Sequence, residues 1–222
     1  IINLTFLNNE WQEVYTIFMN GFSDNPGNTE NDLICSLILG HSLCTVFNRY
    51  ENPNEEIIGL FLQFVATKLI PGIYAIIHNK NNLHMITLSY QIFNQLISFK
   101  EPFLNQLLNP EAHIGNNIFA ILLQEFVQYS FHINQYSPET PFYRQFIEEM
   151  ITFLAVCYRN PLLAPFLDIG FIHTFLPIIP QLLNSALPNS IRCRALDFLS
   201  SIVLNSNIWS TFEEEQIARN LI

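Results

Sequence analysis

An all-α chain is what this sequence predicts, and three observations carry the prediction. Apolar residues recur at spacings of three and four almost throughout. No stretch alternates apolar and polar residues for more than a few positions, as a half-buried strand would. Glycine is scarce, 7 in 222 residues, while hydrophobic residues make up 50%. Few glycines in a long apolar chain favour helices with short connections over a Gly-rich all-β design.

Local signals then place the elements. A first helix is expected over 10–21, with Trp11, Val14, Tyr15 and Phe18 on one face. Ser23-Asp24-Asn25-Pro26-Gly27-Asn28 is the strongest loop signal in the chain. Thr29 is placed to cap the next helix, which runs to about Tyr50, and Asp32 puts a carboxylate at the positive end of its dipole. Asn52-Pro53-Asn54 breaks that run. Asn54, Glu55 and Glu56 start a helix that continues to Ile70, where Pro71 either kinks it or begins a short helix reaching His78. Asn79-Lys80-Asn81-Asn82 is a polar turn, 83–99 is helical, and Glu101-Pro102-Phe103 opens a short helix with proline at a tolerated early position.

A helix over 117–131 follows, then a loop over 132–140 containing Ser137-Pro138. Thr140 is read as the cap of a helix with Pro141 at its first position, extending to about Tyr158. A short helix over 161–169 ends at Gly170, and 171–183 carries Pro177 and Pro180, so it is kinked or split. The last two helices are expected over 189–204 and 211–222. Roughly ten helices on short turns pack either as a globular bundle or as stacked helical pairs.

Composition narrows the classes further. Charged residues are 13% of the chain, against a usual share of about 25%. Disorder is excluded by the amount of apolar surface available to offset the entropy of ordering. Asn is frequent, about one residue in nine, but dispersed, so no prion-like tract is inferred. The net charge is −10 with nine Lys and Arg, and no basic stripe exists beyond Arg192 and Arg194. Nucleic acid is therefore not an expected partner, and an anionic membrane surface would repel the chain. A partner with a basic or apolar surface is the preferred kind.

The most apolar run, 57–77, has membrane length, but it carries Gln63 and Lys68 and is interrupted at Pro71. Burial in a helical core explains it better than membrane insertion. Cys35, Cys44, Cys157 and Cys193 sit inside apolar runs without a CxxC pair, and read as reduced core residues of a cytoplasmic protein. No secretion signal is expected; the Asn3-Leu4-Thr5 sequon is a triplet that arises often by chance.

The order of elements between residues 160 and 204 is distinctive. Asn160-Pro161-Leu162-Leu163-Ala164-Pro165-Phe166-Leu167-Asp168-Ile169-Gly170 reads as a short helix closed by glycine, which turns the chain sharply at low steric cost. A Leu- and Ile-rich second helix follows, with Leu176, Ile178, Ile179, Leu182 and Leu183. A longer third helix contains Ala195-Leu196-Asp197-Phe198-Leu199-Ser200-Ser201-Ile202. This order resembles an armadillo repeat. Phe153-Leu154-Ala155-Val156 aligns with Phe198-Leu199-Ser200-Ser201 at a spacing of 45, inside the range of about 40–47 for HEAT and armadillo repeats.

The resemblance implies an irregular right-handed α-solenoid of armadillo/HEAT-like repeats. It implies one armadillo-like domain over 1–222, with repeat-like units at about 30–80, 81–135, 139–188 and 189–222. Ile1 in place of Met, and a helical pattern running to Ile222, read as a segment of a longer chain. Tyr90 and Asn94 occupy places where the family often has an aromatic residue and an Asn facing its groove. The helices bearing Phe153 and Phe198 have Ala155 and Ser201 near the matching place, so the Asn ladder is eroded.

Chemistry-bearing clusters are few. Cys35, His41 and Cys44 lie on one helix, but tetrahedral metal closure needs about four ligands. Glu148-Glu149 and Glu213-Glu214-Glu215 read as solvated faces, since adjacent glutamates on a helix point apart. GxSxG, GxxxxGK[ST] and GxGxxG are all missing, and the six histidines show no metalloprotease spacing. The expectation is a non-enzymatic scaffold that needs no cofactor and presents a helical-repeat surface to partner proteins. Tyr90, Asn94, Thr152 and Asp197 are its candidate contact residues, with Arg192 and Arg194 at one rim. A regulatory armadillo-like domain of a cytoskeletal or small-GTPase pathway, formin-like, is the alternative by analogy. An all-α enzyme with an unrecognised site is the third reading.

Overall fold

The structure, a computed structural model, describes residues 29–49, 55–79, 82–108, 118–130, 137, 139–164, 175, 178–183 and 187–204. Among the described residues there is no strand, so the all-helical expectation holds. The chain divides into two compact units, Ile1–Glu125 and Phe126–Ile222. Helices expected over 10–21 and 211–222, the loop at 23–28 and the Gly170 corner lie outside the described residues.

In the first unit, α1 (Glu30–Arg49) opens on a reciprocal cap. Thr29 Oγ1 accepts from the Asp32 N–H at 3.3 Å, while the Asp32 carboxylate accepts from the Thr29 N–H at 2.7 Å. Two donors at the helix start are satisfied at once. The backbone and side-chain hydrogen bonds from Thr29 hold the Asp32 carboxyl below its ordinary value. Its stabilising contribution is therefore present above the usual carboxylate range and is lost as acid protonates it.

After α2 (Glu55–Phe64) the chain meets Pro71, which has no N–H and whose ring collides with the carbonyl four residues back. A π-helical turn over Val65–Leu69 precedes it, with the Ile70 N–H bonded to the Val65 carbonyl five residues back, and α3 (Ile70–Asn79) continues directly. The wider turn resets the carbonyl register just where the clash would fall. Of the two expectations at Pro71, a separate short helix is not formed; the chain passes the proline within a continuous helical run. Phe61–His78 is long and apolar enough to cross a membrane by composition, with mean hydropathy 1.4, and half of that stretch is buried within the structure.

Helix α4 (Leu83–Ile97) is the centre of this unit. Asn82 caps it, its Oδ1 accepting from the His84 and Met85 N–H groups at 2.9 and 3.2 Å. Leu83, Met85, Ile86, Leu88, Tyr90, Ile92, Phe93, Leu96 and Ile97 are all buried, so little of the circumference faces solvent. A helix apolar on all sides is an interior helix. Thr87 and Ser89 are buried with it, and their hydroxyls donate to the carbonyls of Leu83 and Met85 at 2.7 and 2.8 Å. α4 packs against α1 and α3.

The α1–α4 pair runs parallel. At one end Asn82 Nδ2 donates to the Glu30 carboxylate. At the other, Asn48 Nδ2 donates to the backbone and side-chain oxygens of Gln95 at 2.9 and 3.1 Å. Phenylalanines close the unit: Phe47 of α1 stacks on Phe61 of α2 at 4.0 Å. Phe99 lies 5.5 and 5.8 Å from these two rings, and Phe103 of α5 (Glu101–Leu108) meets Phe47 edge-on at 5.6 Å. Each such pair contributes about 0.5–1.5 kcal/mol beyond its buried area. Phe93 stacks on Phe119 of α6 (Ile118–Tyr129) at 5.0 Å.

The boundary between the units falls within α6. In the second unit, α7 (Tyr143–Arg159) begins differently from expectation. Thr140 does not cap it: the Tyr143 N–H bonds to the Thr140 carbonyl at 3.0 Å, and Phe142 has φ 66° and ψ −2°. Those angles belong to the third residue of a type II turn, with Pro141 at the second. Proline thus directs a turn here and does not start the helix. At the other end, Asn160 Oδ1 accepts from the Leu162 N–H at 3.0 Å, and its carbonyl accepts from Leu163 and Ala164, both at 2.9 Å. Of the short helix expected over 161–169, this single turn is what the described residues contain.

The unit continues with α8 (Ile179–Leu182), which carries Pro180 in its first turn, and α9 (Asn189–Leu204), whose bounds match the sequence expectation. α9 packs against α7 and α8. Phe198 receives Tyr158 and Phe175 edge-on at 5.5 and 5.6 Å, while Phe126 and Phe153 meet at 5.7 Å.

Two substitutions check these local assignments. Asn82→Ala is expected to lower stability by about 1 kcal/mol, the usual cost of a lost N-cap, read as a fall in the urea midpoint. At Phe142 the left-handed backbone sets the rank order. Phe142→Gly should stay within about 1 kcal/mol of the parent, whereas the β-branched Phe142→Val, which tolerates a positive φ less well, should be the less stable of the two. Equal stabilities for the two variants would contradict a positive φ at this position.

Candidate functional site

The sequence-derived candidates separate into two groups. Tyr90 is fully buried and Asn94 is 7% exposed, both on α4. This corrects the expected groove-facing placement. α4 packs extensively against α1 and less so against α3, and positions that family spacing would turn outward lie inside the unit. The signal was present in the sequence: between Leu83 and Ile97 apolar residues occupy more of the helix circumference than one buried face requires.

The other four candidates gather on the α7–α9 pair. Arg194 Nη1 donates to Thr152 Oγ1, and the same hydroxyl donates to the Glu148 carbonyl at 2.7 Å. Asp197 is paired with Arg159, both half exposed. Arg192 donates to Asn189 Oδ1 within α9. Sequence reading missed the third tie. Arg144 reaches the Glu148 carboxylate at 3.4 Å and Ser190 Oγ at 3.1 Å, and the Ser190 hydroxyl donates to Glu148.

The spacing explains how these side chains meet. Arg144, Glu148 and Thr152 recur every four residues along α7, and Ser190, Arg194 and Asp197 recur at four and three along α9. Each set therefore forms one stripe on its helix. The N-terminal turns of the helices meet through Arg144 and Ser190, and the C-terminal part through Arg159 and Asp197, so this pair is parallel as well. Beneath the stripe, Phe146, Met150, Phe153 and Leu154 of α7 and Ile191, Ala195 and Phe198 of α9 are buried. The seam is a polar ridge over an apolar contact.

What the ridge can do chemically follows from its partners. Its carboxylates are engaged by guanidinium groups and hydroxyls, an arrangement that holds two helices in register and presents mixed charge to solvent. Acid–base work would need a carboxyl free to meet substrate, whereas Glu148 and Asp197 are each engaged by an arginine. Among the described residues no three His, Cys, Asp or Glu side chains gather as a metal site would require. Cys35 and Cys44, nine residues apart on α1, fall on opposite faces at about 100° per residue.

The cysteines themselves divide. Cys44 and Cys157 are buried free thiols, and burial raises both well above the ordinary thiol range. Cys35 and Cys193 are exposed, which corrects their reading as core residues. Each lies on an outward stripe of its helix, Cys35 with Ile38 on α1 and Cys193 with Leu196 on α9.

Compared with known proteins, the chain matches no family model, no curated protein and no solved structure.

Thiol labelling checks the division of cysteines. In the folded protein an aromatic disulfide reagent should modify Cys35 and Cys193 promptly, and Cys44 and Cys157 only on the timescale of unfolding. Fast reaction of all four would show that α1 and α7 are not packed as described. For the ridge, a double-mutant cycle on Arg159 and Asp197 should give a coupling of about 0.2–1 kcal/mol, decreasing at high salt, as expected for an exposed ion pair. Zero coupling at low salt would remove the pair as a tie between α7 and α9.

Proposed function

We propose that this chain is a non-enzymatic scaffold, an irregular right-handed α-solenoid of armadillo/HEAT-like character whose surface binds partner proteins. The observation that carries the reading is the recurrence of parallel long-helix pairs, one in each unit. In α1–α4 the tied residues are 47 and 52 positions apart; in α7–α9 they are 38, 42 and 46 apart. Parallel helices cannot be joined by a tight turn, so an intervening element must carry the chain back, as the continuous helical run of α2 and α3 does between α1 and α4. An up–down bundle makes consecutive helices antiparallel and alternate ones parallel, with no fixed sequence separation between the parallel pairs. A stack of helical repeats gives parallel contacts between equivalent helices at one repeat length, about 40–47 residues.

The absence of nucleotide and nucleophile motifs in the sequence and the paired state of the ridge charges both favour binding over catalysis. We place the protein in the cytoplasm, outside the membrane and off nucleic acid, with no cofactor. Its partners present basic or apolar surface, in keeping with the net charge of −10.

Affinity purification of the full-length protein from its own cell, with identification of bound chains, tests this. A stoichiometric protein partner is expected, and its retention should fall at least tenfold for Leu196→Glu or Asp197→Arg variants that keep parental helicity. Purification without any stoichiometric protein, or retention unchanged by every exposed substitution on α7 and α9, would overturn the reading for this surface.

A further inference from the structure

We draw no further inference here: the strongest candidate, the arginine-lined ridge between α7 and α9 with Leu196 exposed beside it, carries nothing because Arg144, Arg159, Arg192 and Arg194 are each engaged by side chains of that same helix pair and nothing in the structure shows what covers it.

Discussion

Helix α4 needs cover around most of its circumference, and the first unit is arranged to supply it. Its buried set runs over successive positions, Met85 through Tyr90 and Ile92 through Asn94, so no single neighbour can shield it. α1 and α3 pack against it, and Phe119 of α6 stacks on Phe93. That demand also accounts for the helical route through Pro71. If the chain broke there, α3 would lose its fixed direction onto α4; the π turn keeps the axis continuous and spares the proline its clash. Polar residues inside α4 fit only because Thr87 and Ser89 satisfy their hydroxyls on the helix's own carbonyls.

Aromatic residues do much of the remaining work, which explains a chain with 20 phenylalanines and few charges. The rings of Phe47, Phe61, Phe99 and Phe103 bring α1, α2, the end of α4 and the start of α5 to one place. In the second unit Phe198 receives Tyr158 and Phe175. A ring buries a large area at the cost of two rotatable bonds, so helices with short connections can be held without many ionic contacts.

Much of this was legible in the sequence. Thr29 with Asp32 marks the start of α1, Glu101-Pro102 opens α5, and Asn189 to Leu204 reads as a helix because capping chemistry and periodicity act locally. The errors arise where a residue's role depends on a distant partner. Tyr90 and Asn94 match the family's groove-facing places, yet apolar residues spread around the helix between Leu83 and Ile97 already mark it as interior; which helices supply the cover is what spacing on one helix does not contain. Thr140-Pro141 looks like a capped start because both residue types favour one; the positive φ at Phe142 turns the same dipeptide into a type II turn. Cys35 sits among apolar neighbours in sequence and Cys193 between Arg192 and Arg194; both lie on the outward side of helices whose other faces are packed. The candidates Thr152, Arg194 and Asp197 were recognisable as polar positions, but the partner of each lies in another helix: Thr152 and Arg194 meet one another, and Asp197 meets Arg159.

The contrast between the two parallel pairs bears on why polar ties are kept in so apolar a chain. Dispersion contacts between two helices tolerate a slip of one turn, about 5.4 Å, with little change in buried area. Hydrogen bonds and ion pairs do not tolerate it. In α1–α4 the ties sit at the two ends, Glu30 with Asn82 and Asn48 with Gln95, where they set the relative height of the helices. In α7–α9 they run along the whole contact, from Arg144 and Ser190 through Thr152 and Arg194 to Arg159 and Asp197. Exposed ties of this kind contribute little stability individually. They still disfavour a slipped register, in which their partners would be separated. The proposed scaffold role would need a fixed register, because a partner would read the relative positions of side chains on adjacent helices, and a one-turn slip would rearrange them all.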